Sequence, residues 1–200
     1  MQVNLGEAAL VEREAGLMHG RITTLEATFV VLMAACGVAL KPIVGPMARI
    51  VGAALFVPSG TIAGAIYMMW PTLAALVVRR FGTALLVGLI EGIVVLITGF
   101  YGSHGIFSLI VYLVPCLLID VGFVVTRRYQ NRLTVFIPPA LGNTAGTVLV
   151  AVLIMHLPTI PLLVSLIPAF IFGGLGGWLA LGLYLLLIKS YPQFSGERTS

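Results

Sequence analysis

Residues 41–70 read KPIVGPMARIVGAALFVPSGTIAGAIYMMW, and this stretch decides the architecture. It holds Pro42, Pro46 and Pro58, the cations Lys41 and Arg49, and the small-residue run Ser59-Gly60-Thr61-Ile62-Ala63-Gly64-Ala65. A proline withholds a backbone donor and clashes with the turn before it, so one straight spanning helix is not expected here. The stretch is also too apolar for a water-exposed loop. It predicts a partly buried lid over a small-molecule site, from about Lys41 to Pro58, followed by a tightly packed helix. Irregular backbone at membrane depth persists only against protein or a wet cavity.

The rest of the chain agrees with a membrane setting. Of 200 residues, 60% are hydrophobic and 9% charged, and the mean hydropathy is +1.11. Soluble domains carry roughly 25% charged residues. The predicted class is an all-α integral membrane protein with six transmembrane helices. The spans fall at about Ile22–Leu40, Ser59–Val78, Gly82–Tyr101, Ile106–Thr126, Leu133–His156 and Leu162–Ile188, each near the ~20 residues a bilayer needs. A polar segment over 1–21, with a weak helix signal at Ala8–Met18, precedes the membrane domain of 22–188. A short tail over 189–200 follows it.

Charge sets the expected orientation. Arg13, Arg21, Arg79, Arg80, Arg127, Arg128, Arg132, Lys189 and Arg198 fall on one side, and only Lys41 and Arg49 on the other. The positive-inside rule then places both termini in the cytoplasm, and the lid, the Gly102–Gly105 turn and the Leu157–Pro161 turn outside. The net charge of +4 follows from this pattern and is no nucleic-acid signal. Glu7, Glu12 and Glu14 stand where a cleavable signal would be basic. Cys36 and Cys116 each lie in an apolar run and read as packing residues.

Small residues mark expected helix contacts. Gly60/Gly64, Gly142/Gly146 and Gly173/Gly177 are spaced for close backbone approach inside a bundle. Ala27, Ala35 and Ala39, with Val31, form a smooth stripe on the first span, suited either to internal packing or to a partner protein.

Ionisable groups within spans are costly and therefore candidates for function. Glu91 lies midway along the third span with no Lys or Arg nearby in sequence. It is protonated, paired across helices, or facing a cationic ligand. Asp120 lies two turns before Arg127, and pairs with the arginine cluster or underlies a pocket. Asn143 and Thr144 are free to bond a neighbouring helix or a ligand. Tyr112 falls in the outer half of the fourth span. Arg49 and Lys41 attract an anion at the lid, or snorkel to the interface. The chain lacks a phosphate-binding Gly-x-x-x-x-Gly-Lys motif, a Gly-x-Ser-x-Gly elbow and histidines at metal-ligand spacing, so no catalytic or metal residue is assigned.

The text LKPIVGPMARIVGAALFVPSGTIAGAIYMMWPTLAALVVRRFGTALLVGLIEG resembles the substrate-binding S-components of energy-coupling factor (ECF) vitamin transporters. Within them it looks most like the thiamin or hydroxymethylpyrimidine branch, through Arg80-Phe81-Gly82 between spans two and three and an acidic residue late in span four, Asp120. The start Met1-Gln2-Val3 lacks the early histidine of the nickel and cobalt branch. The resemblance implies a non-enzymatic capture subunit in a prokaryotic plasma membrane, which delivers a vitamin through a T-component and two ATPases. ATP would be used by those partners, with no cofactor in this chain. It implies a site among spans four to six under the lid, mapping to Tyr112, Asn143 and Arg49 with Glu91 close in depth, Asp120 as a further candidate for substrate binding, and a partner face at Ala27, Ala35 and Ala39. Cationic thiamin suits Glu91, a neutral pyrimidine suits Asn143 with an aromatic stack, and an acidic vitamin suits Lys41 and Arg49. The competing function is a self-contained proton-coupled carrier using Glu91, although no inverted repeat of the kind common in such carriers is evident.

Overall fold

A computed structural model describes residues 22–55, 57–99, 105–126 and 131–190. The Ala8–Met18 helix signal, His104, the Arg127–Arg128 cluster and most of the polar tail lie outside these residues. Among the described residues the chain is all helix, with no strand: α1 (Thr24–Leu55), α2 (Ser59–Tyr67), α3 (Met69–Val78), α4 (Thr83–Thr98), α5 (Phe107–Thr126), α6 (Arg132–Leu153) and α7 (Thr159–Ser190). Five stretches are long and apolar enough to cross a membrane: α1, α2 with α3, α5, α6 and α7. The third predicted span is a shorter apolar helix, α4, of 16 residues.

The principal correction concerns the lid. The expected irregular segment from Lys41 onward is instead the second half of α1, which runs unbroken for 32 residues through Pro42 and Pro46. Such a helix is about 48 Å long, well beyond the ~30 Å hydrocarbon core. Two features explain why the prolines do not end it. They are four residues apart and both exposed, so they share one outward face. The inward face carries Lys41, Gly45, Ala48 and Gly52, at helical spacing. The chain turns only after Leu55: Val57 N–H donates to Gly52 O at 3.0 Å, and a Cβ on Gly52 would sit 2.8 Å from Val57 O.

The second predicted span is helical from Ser59 to Val78 with a break at Met68. It ends where Arg79 adopts φ 54, and Gly82 reopens the chain into α4 with φ 87. Glycine takes that left-handed conformation without steric cost, which accounts for the Gly in Arg80-Phe81-Gly82. The glycine pairs mostly act as expected. Gly173 and Gly177 lie against the backbone carbonyls of Pro139 and Val135, so α6 and α7 pack in intimate contact.

The apolar core occupies one end of the bundle. Val30 and Ala34 of α1, Leu73 and Leu76 of α3, Val87 of α4, Ile119 and Phe123 of α5 and Tyr184 of α7 are all buried there. The same end is tied by Arg79 donating to Tyr184 Oη at 2.6 Å and by Arg80 paired with Glu26 at 3.3 Å. Cys36 and Cys116 are both free thiols.

Candidate functional site

The other half of the bundle holds a partly open cavity of about 180 Å³. Its walls come from α1 (Lys41, Arg49), α2 (Ser59, Thr61), α4 (Glu91), α5 (Tyr112) and α6 (Asn143), among others. Of the expected spans four to six, the fourth and fifth contribute Tyr112 and Asn143 to the wall, and α7 contributes none. With the expected lid folded as helix, α1 itself supplies Lys41, Gly45 and Arg49 to the wall.

At the centre is an ion pair invisible to local sequence. Lys41 Nζ lies 2.5 Å from Glu91 Oε2, with the two side chains 2% and 6% exposed. Fifty residues separate them, so Glu91, without a cation nearby in sequence, finds one across α1 and α4. This also overturns the snorkelling alternative for Lys41, whose ammonium is in the interior. Gly37 makes the approach possible, because a Cβ there would collide with Glu91 Oε1. That oxygen and the nearby Trp70 indole N–H have no hydrogen-bond partner among the described residues. The Lys41 ammonium also stands 4.2 Å from the Tyr112 ring centroid and 5.9 Å from that of Tyr67, within cation–π range.

Asn143 is the second fixed point. Its Nδ2 donates to Thr61 O at 3.1 Å and to Ala169 O at 2.8 Å, joining α2, α6 and α7. Both amide protons are thus engaged by carbonyls, which fixes the orientation of the amide and leaves Oδ1 as its remaining acceptor. Gly64 admits this side chain, since a Cβ there would overlap the amide. Thr61 and Thr147 hydroxyls meet alongside at 3.4 Å. Thr144 instead returns its hydroxyl to Ala140 O at 2.8 Å. Arg49 is exposed yet lines the cavity, so it stands at the rim.

Asp120 does not join them. It is 2% exposed and is absent from the cavity wall. Its two oxygens accept from the backbone N–H groups of Ala84 at 3.1 Å and Leu85 at 2.8 Å. A carboxylate at a helix N-terminus meets unsatisfied donors and the positive end of the helix dipole. Asp120 therefore anchors α4 to α5, next to the Gly82 turn. The Arg80-Phe81-Gly82 motif and Asp120 form one structural unit away from the cavity. The structure thus brings together Arg49, Glu91, Tyr112 and Asn143, and it separates Asp120 from them. It adds Lys41 and Tyr67. The period of Lys41, Gly45, Ala48 and Gly52 was the signal that could have placed Lys41 on an inward helix face. Ala27, Ala35 and Ala39 are exposed on α1, and His156 is exposed in the connection to α7.

Neither the curated proteins nor the solved structures offer a match to this chain. A family model described as "ABC-type cobalt transport system, permease component" matches residues 27–146, more than half of the chain. That span takes in α2 to α5 whole, nearly all of α1, and the part of α6 that carries Asn143. A multi-pass helical bundle with a cavity that carries polar groups fits the membrane component of an ABC or ECF-type transporter, and the chain belongs to the ABC-type cobalt transport system permease component family.

Proposed function

We propose that this chain is the substrate-capture subunit of an ECF-type importer, and that its ligand is a small neutral heterocycle of the hydroxymethylpyrimidine class. The observation that carries this is the cavity itself, mostly apolar and partly aromatic with a few polar groups, and set inside a membrane bundle of a transport family. An engineered apolar cavity of about 150 Å³ holds benzene, so about 180 Å³ has room for one substituted ring. Asn143 Oδ1 is an acceptor for an exocyclic amino group. Lys41 has three ammonium protons, of which one is directed to Glu91, leaving donors for a ring nitrogen. Tyr112 and Tyr67 supply aromatic surface.

The family description names cobalt, but Lys41 and Arg49 in the wall oppose a bare divalent cation, and Glu91 is already paired. Among the described residues no three His, Cys, Asp or Glu side chains come together.

In this function the ligand enters past the rim at Arg49, taken as the outer face, with both termini cytoplasmic. The exposed Ala27–Ala35–Ala39 stripe on α1 docks the T-component, through which two ATPases drive release. The chain itself performs no chemistry. The test is mass spectrometry of small molecules released from protein purified in mild detergent, with thermal shift against a vitamin panel. A near-equimolar pyrimidine supports the proposal. An empty protein with no shift from any vitamin defeats it. Uptake by proteoliposomes holding this chain alone, abolished by Glu91→Gln, would instead support the proton-coupled carrier.

A further inference from the structure

We infer that Lys41 is a built-in occupant of a cation cage, and that it makes the cavity reject cationic ligands. This specificity device rests on the capture function proposed above. A carboxylate beside two aromatic faces is the set of groups that recognises an organic cation. Glu91, Tyr112 and Tyr67 form that set here, and the cation they hold is the chain's own. The Lys41 ammonium is 2.5 Å from the Glu91 carboxylate, 4.2 Å from the Tyr112 centroid and 5.9 Å from the Tyr67 centroid.

Two consequences follow for a ligand. A cationic ring finds the cage filled, and it meets an ammonium at close range in a region of low dielectric, where like charges repel strongly. A neutral ring meets neither obstacle, and it gains hydrogen-bond donors from the same ammonium. The tether matters, because Lys41 is carried by α1 and is 2% exposed. A cationic ligand must therefore displace a buried charge, not a hydrated ion. Glu91 is thus part of the selection against cations, the reverse of what a lone carboxylate in a span suggests.

The test compares three full-length proteins in detergent: wild type, Lys41→Ala, and Lys41→Ala/Glu91→Gln. The cationic probe is N-methylpyridinium, and the neutral probe is hydroxymethylpyrimidine. Binding is followed by calorimetry after each protein is shown to be monodisperse. Lys41→Ala should bind N-methylpyridinium about tenfold or more tighter than wild type, because the cage and its carboxylate become free. The double variant carries no unpaired charge and so remains testable if the single one fails to fold. It should gain about threefold from the aromatic faces alone. Equal affinity for N-methylpyridinium in wild type and in the folded variants overturns the inference. So does a wild type that binds this cation more tightly than the neutral probe. A wild type that binds no vitamin at all defeats the capture function instead, while the cation comparison among the three proteins still decides the role of Lys41.

Discussion

The two ends of this bundle each bury a carboxylate, and they treat it differently. At the packed end, Asp120 gives both oxygens to backbone N–H groups of α4, amid a core of apolar side chains. At the cavity end, Glu91 gives one oxygen to a lysine, and the other has no partner among the described residues. Backbone donors cannot leave, so Asp120 is a rivet. Lys41, by contrast, also lines the cavity, so the Glu91 pair sets the charge that an entering molecule meets there. Buried polar groups are normally satisfied. The two ends differ in what holds the carboxylate, since unpartnered buried polar atoms occur at both, Thr72 and Thr83 at the packed end and Trp70 and Glu91 at the cavity end, among the described residues.

The comparison breaks most sharply at the ion pair. Lys41→Ala leaves a buried carboxylate without its counter-charge and should cost about 3–5 kcal/mol. Removing both charges in Lys41→Ala/Glu91→Gln should restore most of that, because the desolvation of the pair disappears along with its attraction. Thermal unfolding in detergent across this mutant cycle measures the coupling. Two single variants whose effects simply add would mean that the pair is not formed.

Asp120→Ala should be the next most damaging, at about 2–3 kcal/mol, since it leaves two helix N–H groups buried and unmade. Ligand affinity in the protein that remains folded should stay within about twofold of wild type, in contrast to changes at the cavity end. A large affinity loss without a stability loss would reverse the roles assigned to the two carboxylates.

Gly64→Ala sharpens the cavity side. Its Cβ would overlap the Asn143 amide, so the side chain must shift, at a cost of about 1–3 kcal/mol. Ligand affinity should fall with it, and Asn143→Ala should reproduce that fall, by about tenfold for one lost hydrogen bond to a fixed acceptor. Calorimetry on both variants checks this. Smallest in stability is Ala35→Trp on the exposed face of α1, expected within about 0.5 kcal/mol of wild type. Under the proposed capture function ligand binding should be unchanged, while uptake in proteoliposomes that also hold the T-component and ATPases should fail.

Much of the fold was legible in the chain. The apolar runs over Ser59–Val78, Ile106–Thr126, Leu133–His156 and Leu162–Ile188 correspond closely to helical stretches, because length and composition alone make a segment a spanning candidate. Glycine spacing announced close helix contacts for the same local reason. The segment after Leu40 was misjudged because its prolines were weighed as breakers. In a bundle, an exposed proline face is tolerated when the opposite face is packed, and that face was written in the period of Lys41, Gly45, Ala48 and Gly52.

The site divided in the same way. Glu91, Asn143 and Tyr112 stood out individually, because a polar or ionisable group in a span demands an explanation wherever it points. What each one meets was beyond the sequence. Lys41 and Glu91 are fifty residues apart, and Asp120 reaches α4 across thirty-five or thirty-six. Sequence determined that this chain is a helical membrane bundle with a few buried polar groups, since hydrophobicity and helical period are local properties. Only the tertiary structure decided which of those groups line a cavity and which rivet helices together, because that depends on which helix faces pack against each other, and on the glycines that let them come close.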